Sequence, residues 1–158
     1  MTIKEKLNER GLVLPKPMEL LGVNLPFEPM RISGNQAFVS GHVPLGPDGQ
    51  IAVQGQLGAD LSVEVGYEAA KLVALAMIGS LERELGDLSR ISRWLRVFGM
   101  VNHAPGFGEQ PAVINGFSEL ILDLFGPEVG AHARFAVGMA GLPKNVPVEI
   151  EAVVEVRS

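Results

Sequence analysis

Apolar side chains recur along this chain in two rhythms. After Asp60, Val65, Ala69, Leu72, Val73, Ala76, Met77 and Ile78 fall at the spacing of one helix face, and Gly86 supplies a stop. A second helical stretch runs from about Ala112 to Phe125, where GPEVG ends it. Strand-like runs occupy the rest. Gln36 to His42 (QAFVSGH) predicts a strand, GPDG at 46–49 a turn, and Gln50 to Gln54 the second arm of a hairpin. Ser89 to Val101, rich in Ile, Trp, Leu, Val and Phe, predicts a long strand. Two further strands, Ala133 to Gly141 and Val148 to Val156, close the chain across LPKNVP. At the other end Thr2-Ile3-Lys4-Glu5 fits a capping box, so a short helix ending near Gly11 is expected. Leu12 to Arg31 contains four of the eleven prolines and little periodicity, and reads as an irregular arm.

The order is β-β-α-β-α-β-β. Strands paired mostly in sequence and two main helices point to an α+β layer with the helices on one face of a five-stranded sheet. The other face then needs a cover. Glu149, Glu151 and Glu155 alternate on the last strand, and partner subunits are the expected partial cover.

Composition narrows the class. A chain of 158 residues has room for one compact domain, expected to span 1–158, and 47% hydrophobic with 20% charged residues is a globular balance. The lack of cysteine excludes disulfides, thiolate metal sites and cysteine nucleophiles, and fits a reducing compartment. TIKEKLNERG after Met1 has the wrong composition for a signal peptide, and LVALAMIG is too short to cross a bilayer. A cytoplasmic protein without a membrane partner is expected. Net charge is −5, and Arg90, Arg93 and Arg96, the nearest approach to a basic cluster, do not share one strand face. That argues against a nucleic-acid partner.

Candidate chemistry is sparse. His42, His103 and His132 are scattered without metal-ligand spacing and are expected in surface or loop roles, so no metal is expected. The glycines of GHVPLGPDG and APGFG do not open a helix after a strand, no G-x-S-x-G elbow occurs, and no nucleophile stands out. In ARFAVGMA, Arg134 shares its strand face with Ala136, Gly138 and Ala140, a row of small side chains that invites close approach by a ligand or another chain. Glu149 stands on the following strand. Alone, each has an ordinary explanation, an ion pair or a wet strand face.

The final block, AR followed by a small or apolar strand, then LPKNV and VEIEAV, resembles the C-terminal signature of the RidA (YjgF-like) family. GNQAFVSGHVP at 34–44 resembles that family's early strand, and VINGFSELILDLFG at 113–126 resembles its second helix. The similarity runs from about Asn35 to Val156. Members are enamine or imine deaminases, some labelled endoribonuclease L-PSP or translation inhibitor. The resemblance implies a chorismate-mutase-like fold, a homotrimer and sites in clefts between subunits. It implies no cofactor. Position by position, Arg134 corresponds to the arginine that grips the substrate carboxylate, and Glu149 to the acid that positions the attacking water. Gly41 corresponds to the position whose backbone N–H holds the substrate, and Asn115 to the family's helix asparagine. Two positions depart: Phe27 follows Pro26 where a Tyr is common, and Ala136 stands where many relatives carry Cys or Ser. Both make the expected pocket less polar. The function implied is hydrolysis of reactive 2-imino or enamine acids to 2-keto acids and ammonia. The alternatives are a module that binds a carboxylate metabolite without turnover and, less in keeping with the acidity, a ribonuclease.

Overall fold

The computed structural model describes residues 1–18 and 25–158. Helix α1 (Ile3–Glu9) begins at the expected capping box: the Thr2 hydroxyl accepts from the Glu5 N–H, and the Glu5 carboxylate accepts from the Thr2 N–H. Two orphan donors of the first turn are thereby satisfied. Residues 19–24 of the expected arm lie outside the described residues.

Five strands form one sheet: β1 (Met30–Ser33), β2 (Gln36–His42), β3 (Ile91–Asn102), β4 (Ala133–Met139) and β5 (Val148–Val156), in the order β1-β2-β5-β3-β4. Helices α2 (Val63–Leu85) and α3 (Gln110–Gly130) lie between them in sequence. The element order, the long β3 and the bounds of β5 agree with the sequence pattern. Two pairings do not. The partner of β2 in the hairpin is β1, not Gln50–Gln54, which forms only an isolated bridge between Leu45 and Ile51. Gly34 and Asn35 make that hairpin a two-residue one, with Ser33 opposite Gln36 and Gly34 at φ 61°, a conformation that costs glycine nothing. The last two strands are not neighbours either. β5 runs antiparallel between β2 and β3, and β4 lies at the edge, parallel to β3.

Alternation along β5 sorts the faces. Val148, Ile150, Ala152, Val154 and Val156 are buried under the helices, while Glu149, Glu151 and Glu155 point to the open face. Trp94 packs edge-on against Phe117 and Phe125 in the core between β3 and α3. The open face carries Phe38 and Phe135, 48% and 59% exposed, with Phe98 packed edge-to-face against Phe135. Large apolar groups left in water on one sheet face mark it as a contact surface.

The helices approach each other so closely that glycine is required. A Cβ on Gly116 of α3 would overlap the Tyr67 carbonyl of α2, and backbone cannot step aside as a flexible side chain can. Gly66 faces the same layer, where a Cβ would sit 2.7 Å from Leu57. We expect Gly116→Ala to lose more than about 2 kcal/mol in denaturant unfolding, the upper part of the overpacking range. A loss below 0.5 kcal/mol would show that the two helices separate freely.

Candidate functional site

Six residues were singled out by sequence, and the fold divides them into two groups of three. Phe27, Gly41 and Glu149 line one cavity of about 610 Å³ at the end of the sheet where β2 meets β5. Arg134, Ala136 and Asn115 sit together elsewhere, between β4 and α3.

The cavity owes its form to a bulge. Val39 pairs with Ala152 and His42 with Ile150, so Ser40 and Gly41 together oppose Glu151 alone. The extra residue turns Gly41 toward the Glu149 side chain, where a Cβ would stand 2.8 Å from Oε1. Hydrogen in place of a methyl leaves room for the carboxylate. Glu149 is half-buried, and among the described residues it has neither an ion-pair nor a hydrogen-bond partner. Burial pushes its pKa above the ordinary glutamate value. In that environment the carboxyl holds a proton more readily than a solvated glutamate does.

The same bulge sends His42 to the helix face. Its Nδ1 lies 2.6 Å from the Ser40 carbonyl, which can only accept, so Nδ1 carries the proton. Nε2 then accepts from the Ser80 hydroxyl of α2 at 2.8 Å, and Ser80 Oγ accepts in turn from Arg83 Nη2 at 3.1 Å. Burial, and secondarily the charge of Arg83, hold the His42 pKa below its usual value. His42, Ser80 and Arg83 all line the cavity. Of the histidines expected in surface or loop roles, His103 and His132 do lie in connections between elements, whereas His42 ends β2; all three are half-buried, with Nδ1 on a backbone carbonyl.

Arg134 faces its own helices. Nη1 donates to Ser118 Oγ at 3.1 Å, and Nη2 donates to Asn115 Oδ1 at 2.7 Å and to the Pro111 carbonyl at 3.3 Å. All three acceptors are neutral. A guanidinium has five N–H donors, so two remain for an anion. Burial lowers the Arg134 pKa from its usual value, with the charge of Glu119 acting the other way. Asn115 therefore touches Arg134 and orients it. Ser118 does the same and is linked at 2.9 Å to His132 Nε2. Sequence reasoning missed both Ser118 and His132, although their spacing from Asn115 and Arg134 carries the only available hint.

The small side chains beside Arg134 have a cause within the chain. A Cβ on Gly138 would overlap the His103 ring, which itself stacks on Phe107 at 5.8 Å. Ala136 packs against the core. The close approach inferred from that row is made by the 103–110 loop and α3 of the same chain.

Among the described residues no three His, Asp or Glu side chains gather as a metal site would require, and no helix is long and apolar enough to cross a membrane. Comparison with known proteins adds a family. The model described as "YjgF/chorismate mutase-like, putative endoribonuclease" matches residues 4–155. Protein TCP17 of Trypanosoma cruzi is 42% identical over 149 residues, 89% of this chain and 92% of that protein. The crystal structure of a protein of unknown function from Agrobacterium tumefaciens is 42% identical, covers 98% of this chain and 92% of its own, and superposes with a TM-score of 0.89. More distantly, E. coli TdcF, solved with bound serine, is 23% identical over 90% of this chain and 99% of its own, with a TM-score of 0.59, and shares the fold.

The desolvated Glu149 makes a prediction about stability. A carboxyl whose folded pKa exceeds its unfolded value binds more protons folded than unfolded in between, so stability falls as pH rises through that interval. Glu149→Gln removes the buried charge. It should raise the Tm at pH 7, and the gain should vanish below the unfolded glutamate pKa of about 4.3. A Tm unchanged at pH 7 would mean that the carboxylate is better solvated than its surroundings suggest.

Proposed function

The chain belongs to the YjgF/chorismate-mutase-like family, and on that premise we propose that it hydrolyses reactive 2-imino or enamine acids to 2-keto acids and ammonia, in a cleft between subunits. The observation that carries this reading is a cation and a carboxyl group, neither in an ion pair among the described residues, kept apart by the fold. Arg134 lies on the helix face of the edge strand, and Glu149 on the open face of a central one. Within one chain they cannot share a small substrate. A second copy docked along the edge strand β4 would bring its cavity to this Arg134.

The chemistry asks for little. Arg134 holds the carboxylate next to the C=N carbon by its two remaining N–H donors. Glu149, facing Gly41, takes a proton from one water as its oxygen attacks that carbon. That proton passes to the nitrogen to give a carbinolamine. The hydroxyl proton of this intermediate then follows through Glu149 to the nitrogen as the C–N bond breaks, so the hydroxyl oxygen becomes the keto group and ammonia leaves. Proton transfer of this kind is worth about 10²–10⁴-fold. Phe27 at the cavity wall gives the substrate an apolar neighbour where a Tyr would offer a hydroxyl. The serine held by TdcF, a small amino acid in the same fold, is compatible with such a ligand. A binding module without turnover is the second reading, favoured by the same unpaired charges. The family description raises ribonuclease activity, but a net charge of −5 argues against it, since phosphate binding draws on clustered Lys and Arg.

Imines generated in situ, with ammonia as the readout, test this. Arg134→Ala should lower kcat/KM at least ~200-fold, the equivalent of about 3 kcal/mol, with Arg134→Lys recovering only part because an ammonium lacks the planar fork. Light scattering should give three times the 16.9 kDa chain mass for wild type and both variants. Undiminished turnover in a folded Ala variant sinks the assignment, and a monomeric mass sinks the shared cleft. Gly41→Ala should leave the fold intact, since only the tip of a flexible side chain is displaced, yet lower kcat by moving the Glu149 carboxylate. The acidic limb of kcat/KM should fall above the ordinary glutamate pKa and disappear in Glu149→Gln.

A further inference from the structure

The cavity is far larger than the smallest imino acids require. At the ~30 Å³ that a water molecule occupies in the liquid, taken per heavy atom, a three-carbon imino acid fills roughly a third of 610 Å³. Cavities of this size hold ligands several times larger. With Glu149 the cavity is lined by the apolar Val43, Leu45, Ile51 and Ala76 and by the His42–Ser80–Arg83 chain.

Arg83 repeats the situation of Arg134. Nη1 donates to the Pro15 carbonyl at 3.3 Å and Nη2 to Ser80 Oγ, so two neutral oxygens orient the guanidinium and three N–H donors stay available. Ser80 is only 8% exposed and is itself held by the neutral His42, so the hydroxyl that orients the exposed Arg83 is a buried one. No carboxylate pairs with Arg83 among the described residues: Glu82 takes Lys4, and Glu84, on the cavity rim with Lys144, makes no contact to it. An oriented cation at an apolar chamber, with no ion pair among the described residues, is what a ligand with a distal carboxylate requires.

We infer that the cavity takes 2-amino or 2-imino dicarboxylic acids with an aliphatic spacer, the second carboxylate held by Arg83. The position of the α-carbon near Glu149 rests on the reading under Proposed function; the distal anchor rests on Arg83 and the cavity alone.

Calorimetric titration of the full chain with stable amino acids tests the anchor separately from turnover. The probes are 2-aminohexanedioate against 2-aminohexanoate, which share a backbone and differ in the terminal carboxylate, with alanine as the small reference. The dicarboxylate should bind at least about tenfold tighter than its apolar counterpart, and alanine weakest. Arg83→Gln, an exposed position where the fold should survive with an unchanged Tm, should bring the two six-carbon ligands within about twofold while leaving 2-aminohexanoate unaffected. Equal affinities in wild type, no measurable binding of the dicarboxylate at millimolar concentration, or a preference that persists in Arg83→Gln each overturn the inference. An Arg83-dependent preference without ammonia release from any imine would leave this inference standing and remove the deaminase. Ammonia release with no such preference would do the reverse.

Discussion

One extra residue in β2 governs the chemistry of the cavity. Strand side chains alternate with a strict period of two, so a regular β2 would place Ser40 with His42 on one face and Val39 with Gly41 on the other. The bulge at Ser40–Gly41 breaks that period. Val39 remains in the core, Gly41 turns toward Glu149, and His42 reaches Ser80 on α2. The half-buried carboxyl and the oriented cation thus owe their place in one chamber to a single irregularity. Bulges re-aim side chains at the cost of a ladder hydrogen bond, and here two are re-aimed at once.

Periodicity revealed the elements whose burial is one-sided and continuous. Helix α2 ends at Gly86 because a residue at φ 76° stops a helix without penalty only as glycine, and that signal is local. The valines and isoleucine of β5 alternate with glutamates for the full strand, so its bounds were legible residue by residue. The β1 partner of β2 was concealed by the prolines around Met30, although the Gly34-Asn35 pair carried a recognised two-residue hairpin signal. Nothing in the local pattern could show that β5 inserts between β2 and β3. Its pairing with β2 joins residues more than a hundred positions apart, and alternation is blind to which neighbour a strand meets.

The site was legible in part for the same reason. Arg134 and Glu149 stand out as residue types in motifs, but their environment is tertiary. The row of small residues beside Arg134 suggests approach by a ligand or another chain, whereas the groups against it are the chain's own His103 and α3. Asn115, Ser118 and His132 come together around the guanidinium only because β4 lies against α3, and Ser80 with Arg83 reach His42 only because α2 crosses the end of β2.

Glu149, Arg83 and Arg134 share one condition: none of the three has an ion-pair partner among the described residues. Glu149 and Arg134 are partly withdrawn from water while Arg83 is exposed, so the two half-buried groups lower the stability of the empty chain relative to a version in which they are paired. An anion reaching either guanidinium supplies a charge-assisted contact for which the orienting cost has been met during folding, since Asn115, Ser118 and Ser80 already fix the geometry. Binding and stability are therefore linked: a ligand that prefers the folded chain raises its unfolding free energy by an amount set by its concentration relative to its dissociation constant. A chain that paired these groups internally would be more stable and would have no reason to bind anything. The arrangement of unpaired charge around a large apolar chamber is thus an argument for a ligand that is independent of which reaction, if any, follows its capture.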